Sequence, residues 1–513
     1  MSMVADILIK NGKCITMENE EVNTVDWVAI AKDKIIECGM GMSYEAIVNE
    51  DTLVIDAKSC TVLPGFIDSH FHVVQTALNS VSLDLSNATT HEEVGELVKQ
   101  AAMLSPGRQI RGIRLKVEQL KEHAMPTRAL LDRYCNDVPV WINTYEYQVS
   151  VLNTYAMLYF KIPFTTNGIE LDQHQMPTGV FYKQANSVLR ENILKNIPDS
   201  ARLEAVGGIM EGLLANGITT VNAMEGGALY SDKDAEFIHE HAKKFPVDME
   251  LFYQTMDLEK IRNMNLKRVG GCLYIDGTLG ARNAALSFEY ADCPGTMGSL
   301  CLQQQELDNF VLKCYQNNLQ LALYTIGDRA IEAALIAHER ALYHTGNIGL
   351  RHRLEHVELV NDNQIKRAKE MELIFSMQPT YEYYWGGPDK MYAQRIGNKY
   401  KTTNPFKEIV ESGICVCGGS DSDVTEAMPM LGIHSAVNHP VGIHRVSLYS
   451  AIKMFTCNGA FALCEEEKKG TLTCGKVADI VVLDRDIFNI KGEELKSVKV
   501  TTTIKSGEIM HSV

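Results

Sequence analysis

Two histidines stand one residue apart at the end of an apolar run, in the segment PGFIDSHFH (64–72). On a β-strand, residues i and i+2 point to the same side, so the imidazoles of His70 and His72 can reach one metal ion. The alternative is a pair of hydrogen-bonded polar residues at a strand end. The spacing alone leaves both interpretations open.

A cluster of polar residues follows a second apolar run, ICVC, in the segment GGSDSD (418–423). Barrel enzymes keep metal ligands and general bases at the carboxyl ends of their strands, and a carboxylate here fits that position. A turn aspartate or a helix N-cap is the structural alternative.

A third histidine-containing segment is RHRLEH (351–356). In a strand His352 and His356 share one face, while Arg353 and Glu355 share the other. His356 lies nearest the end of the strand and is therefore the better functional candidate. A buried structural histidine is the alternative.

These segments belong to a series of eight apolar runs, most of them followed by helical periodicity. The series predicts an α/β fold with a closed (β/α)8 barrel of parallel strands, since eight such units are the number that closes a TIM-like barrel. A doubly wound open sheet is the competing topology, but no glycine-rich nucleotide turn follows any of the runs. The expected strands lie near residues 62, 218, 247, 269, 319, 352, 372 and 414.

The remaining segments predict two additions to the barrel. Alternating runs at both ends of the chain indicate one β-sandwich domain built from residues 1–62 plus 471–513. The barrel then occupies 63–470. Residues 76–210 do not fit the repeat and are expected to form a large, mostly helical insertion after the first barrel strand.

The composition limits the classes of partner. The chain has 513 residues, with 49 basic against 65 acidic side chains, and its net charge is −16. Such a chain repels phosphate backbones and anionic lipid, so nucleic acid and membranes are not expected partners. Its 13 scattered cysteines predict reduced thiols and a cytoplasmic location. A small-molecule substrate and a homodimer are expected.

The three polar segments, taken together with the split β domain, resemble the amidohydrolase superfamily. Further motifs are similar to its third amidohydrolase family, the branch that includes formamide deformylases. The resemblance spans nearly the whole chain. It is carried by DGTLGAR (276–282), IGDRAIEAAL (326–335), RHRLEHVEL (351–359), SMQP (376–379), MPTRALLDRYCNDVPVW (125–141) and MPTGVFYKQA (176–185).

The resemblance implies metal-assisted hydrolysis, usually of amide-like C–N bonds. It implies His70 and His72 as ligands of one metal, and Asp421 as both a ligand and the general base. It further implies His356 as a ligand or a stabiliser of the transition state. A metal ion that activates water and polarises a carbonyl suits such a reaction.

The chain departs from the family pattern at four positions. Cys272 stands where the family has a strand-four lysine that bridges two metals when carboxylated. Tyr324 replaces the strand-five histidine, and Tyr381 replaces the histidine of a Gln-Pro-x-His motif. Within the insertion, Gln148 replaces a further histidine.

Two hypotheses follow from the change at Cys272. In the first, its thiolate joins His70, His72 and Asp421 around one Zn²⁺ per chain, or another divalent metal, with His356 nearby. In the second, Cys272 is a small buried hydrophobic residue, and the chain is a binding protein or an enzyme of different chemistry. The first hypothesis is preferred.

The favoured function is a metal-dependent hydrolase that cleaves a C–N bond of a small amide, formamide or cyclic amide. The alternatives are a catalytically silent binding protein of the same fold and a deaminase. Expected substrate contacts come from Tyr381 and Trp385 in YEYYWGG (381–387), which otherwise form a packed loop. Arg282 is a candidate for a substrate carboxylate or for a surface ion pair. Tyr324 and Gln148 complete the expected set.

Overall fold

The computed structural model of the chain describes residues 4–145, 147–161, 167–227, 230–347 and 349–513. Its contacts divide the chain into two compact units. The first unit comprises 1–73, 210–225 and 238–513, and the second comprises 74–209 and 226–237. Each unit is described by itself.

The strands within the described residues, in chain order, are β1 (Ile7–Lys10), β2 (Lys13–Ile15), β3 (Thr24–Val25), β4 (Trp27–Ala31), β5 (Lys34–Gly39), β6 (Leu53–Asp56), β7 (Thr61–Pro64), β8 (Phe66–Phe71), β9 (Leu83–Asp84), β10 (Ile110–Leu115), β11 (Val140–Thr144), β12 (Val149–Leu152), β13 (Ile169–Leu171), β14 (Pro177–Tyr182), β15 (Ile218–Glu225), β16 (Asp248–Tyr253), β17 (Arg268–Tyr274), β18 (Gln320–Thr325), β19 (Arg353–His356), β20 (Ile374–Met377), β21 (Val416–Gly418), β22 (Ile480–Leu483), β23 (Val500–Lys505) and β24 (Glu508–Ser512).

The α-helices of the same residues are α1 (Val73–Ser80), α2 (His91–Leu104), α3 (Arg128–Tyr134), α4 (Thr154–Tyr159), α5 (Lys183–Lys195), α6 (Asp199–Ala215), α7 (Asp232–His241), α8 (Leu258–Asn263), α9 (Gln304–Gln316), α10 (Asp328–Thr345), α11 (Asp362–Glu370), α12 (Thr380–Trp385), α13 (Met391–Ile396), α14 (Phe406–Glu411), α15 (Pro429–Val437), α16 (Leu448–Met454) and α17 (Cys457–Ala462). No helix in the described part of the chain has the length and hydrophobicity that crossing a bilayer requires.

The core of the first unit is an eight-stranded parallel sheet in the order β21-β20-β19-β18-β17-β16-β15-β8. Its two outer strands meet, because Phe71 forms a parallel bridge with Ser422 just beyond β21. Across this seam the amide of Asp421 donates to the carbonyl of His70 at 2.8 Å, and the amide of His72 donates to that of Ser422 at 3.1 Å. The predicted parallel barrel is therefore confirmed, with strands at all eight expected places.

Strands from both ends of the chain share one sheet in the first unit. Its order is β24-β23-β22-β7-β2-β3, and β22 near the C-terminus pairs with β7 near the N-terminus. A four-stranded sheet, β5-β4-β1-β6, contributes to the same apolar core. In that core Ile9 and Ile30 of the smaller sheet lie with Val62, Ile480 and Ile504 of the larger one.

The second unit contains the residues predicted as a mostly helical insertion. Helices are the larger part of its regular structure, but the prediction did not include its sheet. The unit holds a six-stranded mixed sheet, β13-β14-β12-β11-β10-β9, together with α2 to α5. Strand β11 shows why strands form here: Val140 and Ile142 join one apolar cluster, whereas Trp141 between them joins another. β-branched and aromatic residues buried on both faces favour a strand over a helix.

The structural alternative of a packed loop at residues 381–387 does not hold. The segment after β20 that carries Tyr381 and Trp385 is the helix α12, not a loop. Its helical spacing places these two aromatic residues four positions apart on one face.

Candidate metal centre

Four predicted ligands meet at the carboxyl ends of the barrel strands. His70, His72, Cys272 and Asp421 each offer one ligand atom, and these atoms all lie within 4.8 Å of one another. All four side chains are buried. Among the described residues, no other group of three or more His, Cys, Asp or Glu side chains converges in this way.

The separations of the donor atoms suit one small divalent ion. Asp421 Oδ1 lies 3.0 Å from His72 Nε2 and 3.4 Å from His70 Nε2. Cys272 Sγ lies 3.4 Å from His70 Nε2 and 3.5 Å from His72 Nε2. Metal–ligand bonds of about 2.0–2.3 Å in a tetrahedron give edges of about 3.3–3.8 Å, so small shifts of these side chains accommodate an ion.

Both histidines are oriented by hydrogen bonds on the side away from the cluster. His70 Nδ1 donates to Glu355 Oε2 at 2.7 Å, and His72 Nδ1 donates to the carbonyl of Met224 at 2.8 Å. Because both partners are acceptors, Nδ1 of each imidazole carries a proton. Nε2 of each ring faces the cluster, where it would bind an ion after giving up its own proton. This arrangement is typical of metal-binding histidines.

A buried ion pair between Glu355 and Arg353 lies on the Nδ1 side of His70. Arg353 donates to both carboxylate oxygens of Glu355, to the carbonyl of Ser69 at 2.6 Å and to Ser376 Oγ at 2.8 Å. Burial raises the pKa of Glu355, but Arg353 and the hydrogen bond from His70 outweigh burial and lower it to about 2. Glu355 is therefore an ionised acceptor for His70.

Glu355 and Arg353 are site residues that the sequence reasoning missed. The segment RHRLEH placed them on the face opposite His356, which was taken as the functional face. The strand pattern identified their shared face correctly, and that face is the one that points into the barrel. A carboxylate paired with an arginine two residues away on a buried strand is the signal that could have identified them.

Local backbone geometry directs Cys272 toward the cluster. Gly270 and Gly271 precede it with φ of 101° and 108°, a region that side chains rarely adopt. A Cβ on Gly270 would lie 1.9 Å from the carbonyl oxygen of Ala322. The amide of Cys272 donates to Gln254 Oε1 at 2.6 Å, which holds the backbone of β17 directly after the two glycines.

The four donors hold one another in charged forms. Burial lowers the pKa of His70 and of His72, but Cys272 and Asp421 raise it well above its usual range. Burial raises the pKa of Cys272, but the neighbouring His72 and His70 lower it well below its usual range. Burial also raises the pKa of Asp421, and hydrogen bonds from the same two histidines lower it well below its usual range. The centre thus pairs two anionic donors with two imidazoles, and this donor set fits a divalent ion such as zinc.

Asp421 divides its two carboxylate oxygens between different neighbours. Oδ1 faces the imidazoles of His70 and His72, whereas Oδ2 accepts a hydrogen bond from the hydroxyl of Tyr381. Burial raises the pKa of Tyr381 well above its usual range, and the Asp421 carboxylate raises it further, so the phenol keeps its proton.

His356 lies beside the four donors but is not one of them. Its ring centroid is 4.9 Å from that of His70 and 4.4 Å from that of Tyr324. Its Nδ1 lies 2.7 Å from Gln378 Oε1. The φ of His356 is 71°, so its backbone departs from regular strand geometry. Its ring therefore faces the site even though the side chain of the preceding residue, Glu355, also faces inward. Its role as a ligand or stabiliser stays a prediction.

His352, by contrast, is a buried structural histidine. Its ring centroid lies 4.2 Å from Tyr315 of α9 and 5.2 Å from His338 of α10, in the layer between strand and helices.

The structure separates the expected substrate-contacting residues into two groups. Tyr324, Tyr381 and Trp385 belong to the same aromatic cluster as Cys272. Arg282 instead forms a two-bond ion pair with Asp292, at 2.9 and 2.8 Å. Gln148 is exposed and lines a cavity of the second unit. A substrate contact by any of these residues stays a prediction.

Comparison with known proteins agrees with this geometry. Residues 53–511 match the model of the amidohydrolase family. The chain is 26% identical to YtcJ of Bacillus subtilis over 91% of this chain and 93% of that protein. It is 23% identical to the N-substituted formamide deformylase of Arthrobacter pascens, over 100% and 99% of the two chains. A solved metal-dependent hydrolase from Pyrococcus furiosus superposes with a TM-score of 0.77 at 26% identity, over 94% of this chain and 99% of that one.

Proposed function

Because the chain belongs to the amidohydrolase family, we propose that it hydrolyses a C–N bond of a small amide, formamide or cyclic amide with one bound Zn²⁺. The observation that carries this proposal is the convergence of four buried donors, two of them histidines whose Nδ1 atoms are held by acceptors outside the cluster. Orienting the two histidines in this way requires further buried polar groups, and such outer hydrogen bonds are typical of metal-binding histidines.

A divalent ion at this centre would lower the pKa of water toward about 7 and polarise the scissile carbonyl. Asp421 then acts as the general base. Its Oδ2 accepts one hydrogen bond from Tyr381 and keeps a further lone pair for the proton of the attacking water. The same oxygen delivers that proton to the leaving nitrogen. His356, next to His70, is placed to stabilise charge that develops on the substrate oxygen.

The aromatic residues beside the centre support a substrate with an apolar or aromatic group. Tyr381 and Trp385 pack with ring centroids 4.5 Å apart, and Tyr324 lies in the same cluster. Aromatic walls of this kind bind apolar groups through burial and ring contacts.

Two other functions, a deaminase and a catalytically silent binding protein, would require different features of the site. A deaminase of this superfamily usually needs the strand-five histidine, which is Tyr324 here. A catalytically silent binding protein would not need four buried donors that converge on one point. The hydrolase is therefore the preferred assignment.

The proposal is tested by screening the zinc-loaded protein against N-acyl, N-formyl and cyclic amides, with ammonia or amine release as the readout. We expect hydrolysis of at least one class. Asp421→Asn should lower the rate by about 10²–10⁴-fold, because the amide keeps the shape but cannot accept the proton.

The matched control is Asp389→Asn, the same change at an exposed position, and it should keep the wild-type rate. Near-normal turnover in a folded Asp421→Asn protein would remove Asp421 from the mechanism. Stoichiometric zinc without turnover of any compound in the screen would favour the binding protein.

A further inference from the structure

We propose that Tyr381 is a positioning residue that restricts Asp421 to metal ligation through a single oxygen. This inference rests on the proposed zinc centre. The Tyr381 hydroxyl donates to Asp421 Oδ2, while Oδ1 lies 3.0 Å from His72 Nε2 and 3.4 Å from His70 Nε2. One oxygen thus faces the position of the ion, and the other is held by a phenol.

The ring of Tyr381 is fixed from two sides, so its hydroxyl has little freedom to leave Asp421. It lies in the first turn of α12, is 5% exposed and packs on Trp385 four residues later, with centroids 4.5 Å apart. On its other side the ring of His356 lies nearly parallel, at 10° and 6.1 Å.

The backbone of Asp421 is fixed as well. Its amide donates to the carbonyl of His70 at 2.8 Å, and its φ is 53°, in the left-handed region. The preceding residue, Ser420, donates its amide to Asp68 Oδ1 at 2.9 Å. The backbone of Asp421 and the ring of Tyr381 are thus both fixed. The fold therefore determines that Oδ1 faces the histidines and that Oδ2 faces the phenol.

This arrangement has a consequence for the chemistry. A carboxylate without such a partner can bind one ion through both oxygens and so add a ligand. Tyr381 keeps Oδ2 away from the ion, and Oδ2 then remains available as a proton acceptor. The tyrosine therefore acts through Asp421 in addition to its place in the aromatic wall.

The test uses Co²⁺ in place of zinc, because its visible d–d bands are strong at four-coordinate sites and weaken when the coordination number rises. Wild type, Tyr381→Phe and Tyr290→Phe are compared as full-length proteins titrated with Co²⁺. Tyr290 is the matched control, since it is 1% exposed, lies in the same aromatic cluster and donates its hydroxyl to the carbonyl of Ala284 at 3.0 Å.

We expect all three proteins to show the charge-transfer band of a cobalt–thiolate bond. Tyr381→Phe alone should lose most of the d–d intensity, because Oδ2 becomes free to bind. A Tyr381→Phe spectrum that matches wild type at full occupancy would overturn the inference while leaving the metal centre intact. A wild-type protein without the thiolate band would instead overturn the proposed centre.

A second measurement applies if Tyr381→Phe fails to fold. X-ray absorption fine structure of the wild-type zinc protein distinguishes the two modes of carboxylate binding, because a chelating carboxylate brings its carbon close to the ion. We expect no such short zinc–carbon distance. Its presence in wild type would contradict the single-oxygen role of Asp421.

Discussion

Cys272 supplies the sulfur atom among the four converging donors, and it is the residue at which the chain leaves its family's pattern most clearly. Its position beside His70 and His72, at 3.4 and 3.5 Å, supports a ligand over a merely packed thiol. The family pattern has a lysine in its place, which bridges two metals when it is carboxylated. A thiolate gives one ion a strong ligand and provides no such bridge.

We expect Cys272→Ser to lower zinc affinity sharply, because a neutral hydroxyl is a much weaker ligand than a thiolate. Competition with a chelator of known affinity measures the change. If Cys272 only fills space, the serine would cost about 1–3 kcal/mol of stability as an unpaired buried hydroxyl and leave zinc binding unchanged. Unchanged zinc affinity together with intact catalysis would contradict the thiolate ligand. Cys314→Ser, at a buried cysteine of helix α9, is the control.

Glu355 makes a second prediction at the scale of one residue. Glu355→Gln keeps the shape but removes the charge that holds the Nδ1 proton of His70. Changes to such outer partners typically weaken metal binding by about 10–100-fold, and we expect a loss in this range. Isothermal titration with Zn²⁺ checks it. Equal affinities of wild type and variant would show that His70 does not depend on Glu355.

His70, His72 and Asp421 could be predicted from sequence because motif and family pattern both point to them. Cys272 could be predicted only as one of two hypotheses, because it replaces the family's lysine. The orientation of β19 could not. Simple alternation predicts that Glu355 and His356 face opposite sides, yet both lie beside His70. The reason is the positive φ of His356, 71°, which cannot be predicted from the residue type at that position.

At the scale of elements, the apolar runs predicted the barrel strands well because each is buried on both faces between helices and barrel interior. The strands of the insertion were harder to predict. Its short strands alternate between two apolar clusters and so lack the single periodicity that separates a strand from a buried helix. The sequence does not predict helix α12, because its six residues are too few to show a clear helical period.

The layer between β19 and the helices α9 and α10 makes a prediction about pH. Burial lowers the pKa of His338 to about 3, so the folded state keeps this imidazole neutral. The unfolded chain binds its proton below about pH 6.5. Stability therefore falls as pH decreases from about 6.5 toward about 3, because only the unfolded state gains the proton in that window.

His338→Gln should remove this contribution and reduce the slope of unfolding free energy by up to about 1.4 kcal/mol per pH unit. Urea unfolding at several pH values between 4 and 7 measures the slope. The exposed His344→Gln on the same helix should leave it unchanged. Identical slopes in wild type and His338→Gln would show that His338 binds its proton over the same pH range in the folded protein as in the unfolded chain.

At the scale of the whole chain, the sequence predicted that both termini contribute to β structure, and the shared sheet of β7 and β22 agrees. This was possible because the terminal strands carry clear alternation and turn residues. The exact domain boundaries stay a prediction. The oligomeric state and the identity of the substrate depend on surfaces and pocket shape, on which a single sequence carries no periodic signal.

The central claim is that the chain holds one divalent ion in the His70, His72, Cys272 and Asp421 centre. Metal analysis of protein purified without chelator, by inductively coupled plasma mass spectrometry, tests it most directly. We predict one equivalent of zinc per chain, which is lost on dialysis against a chelator and recovered on addition of zinc. A protein that contains no bound metal, and that takes up none when metal is added, would contradict the account.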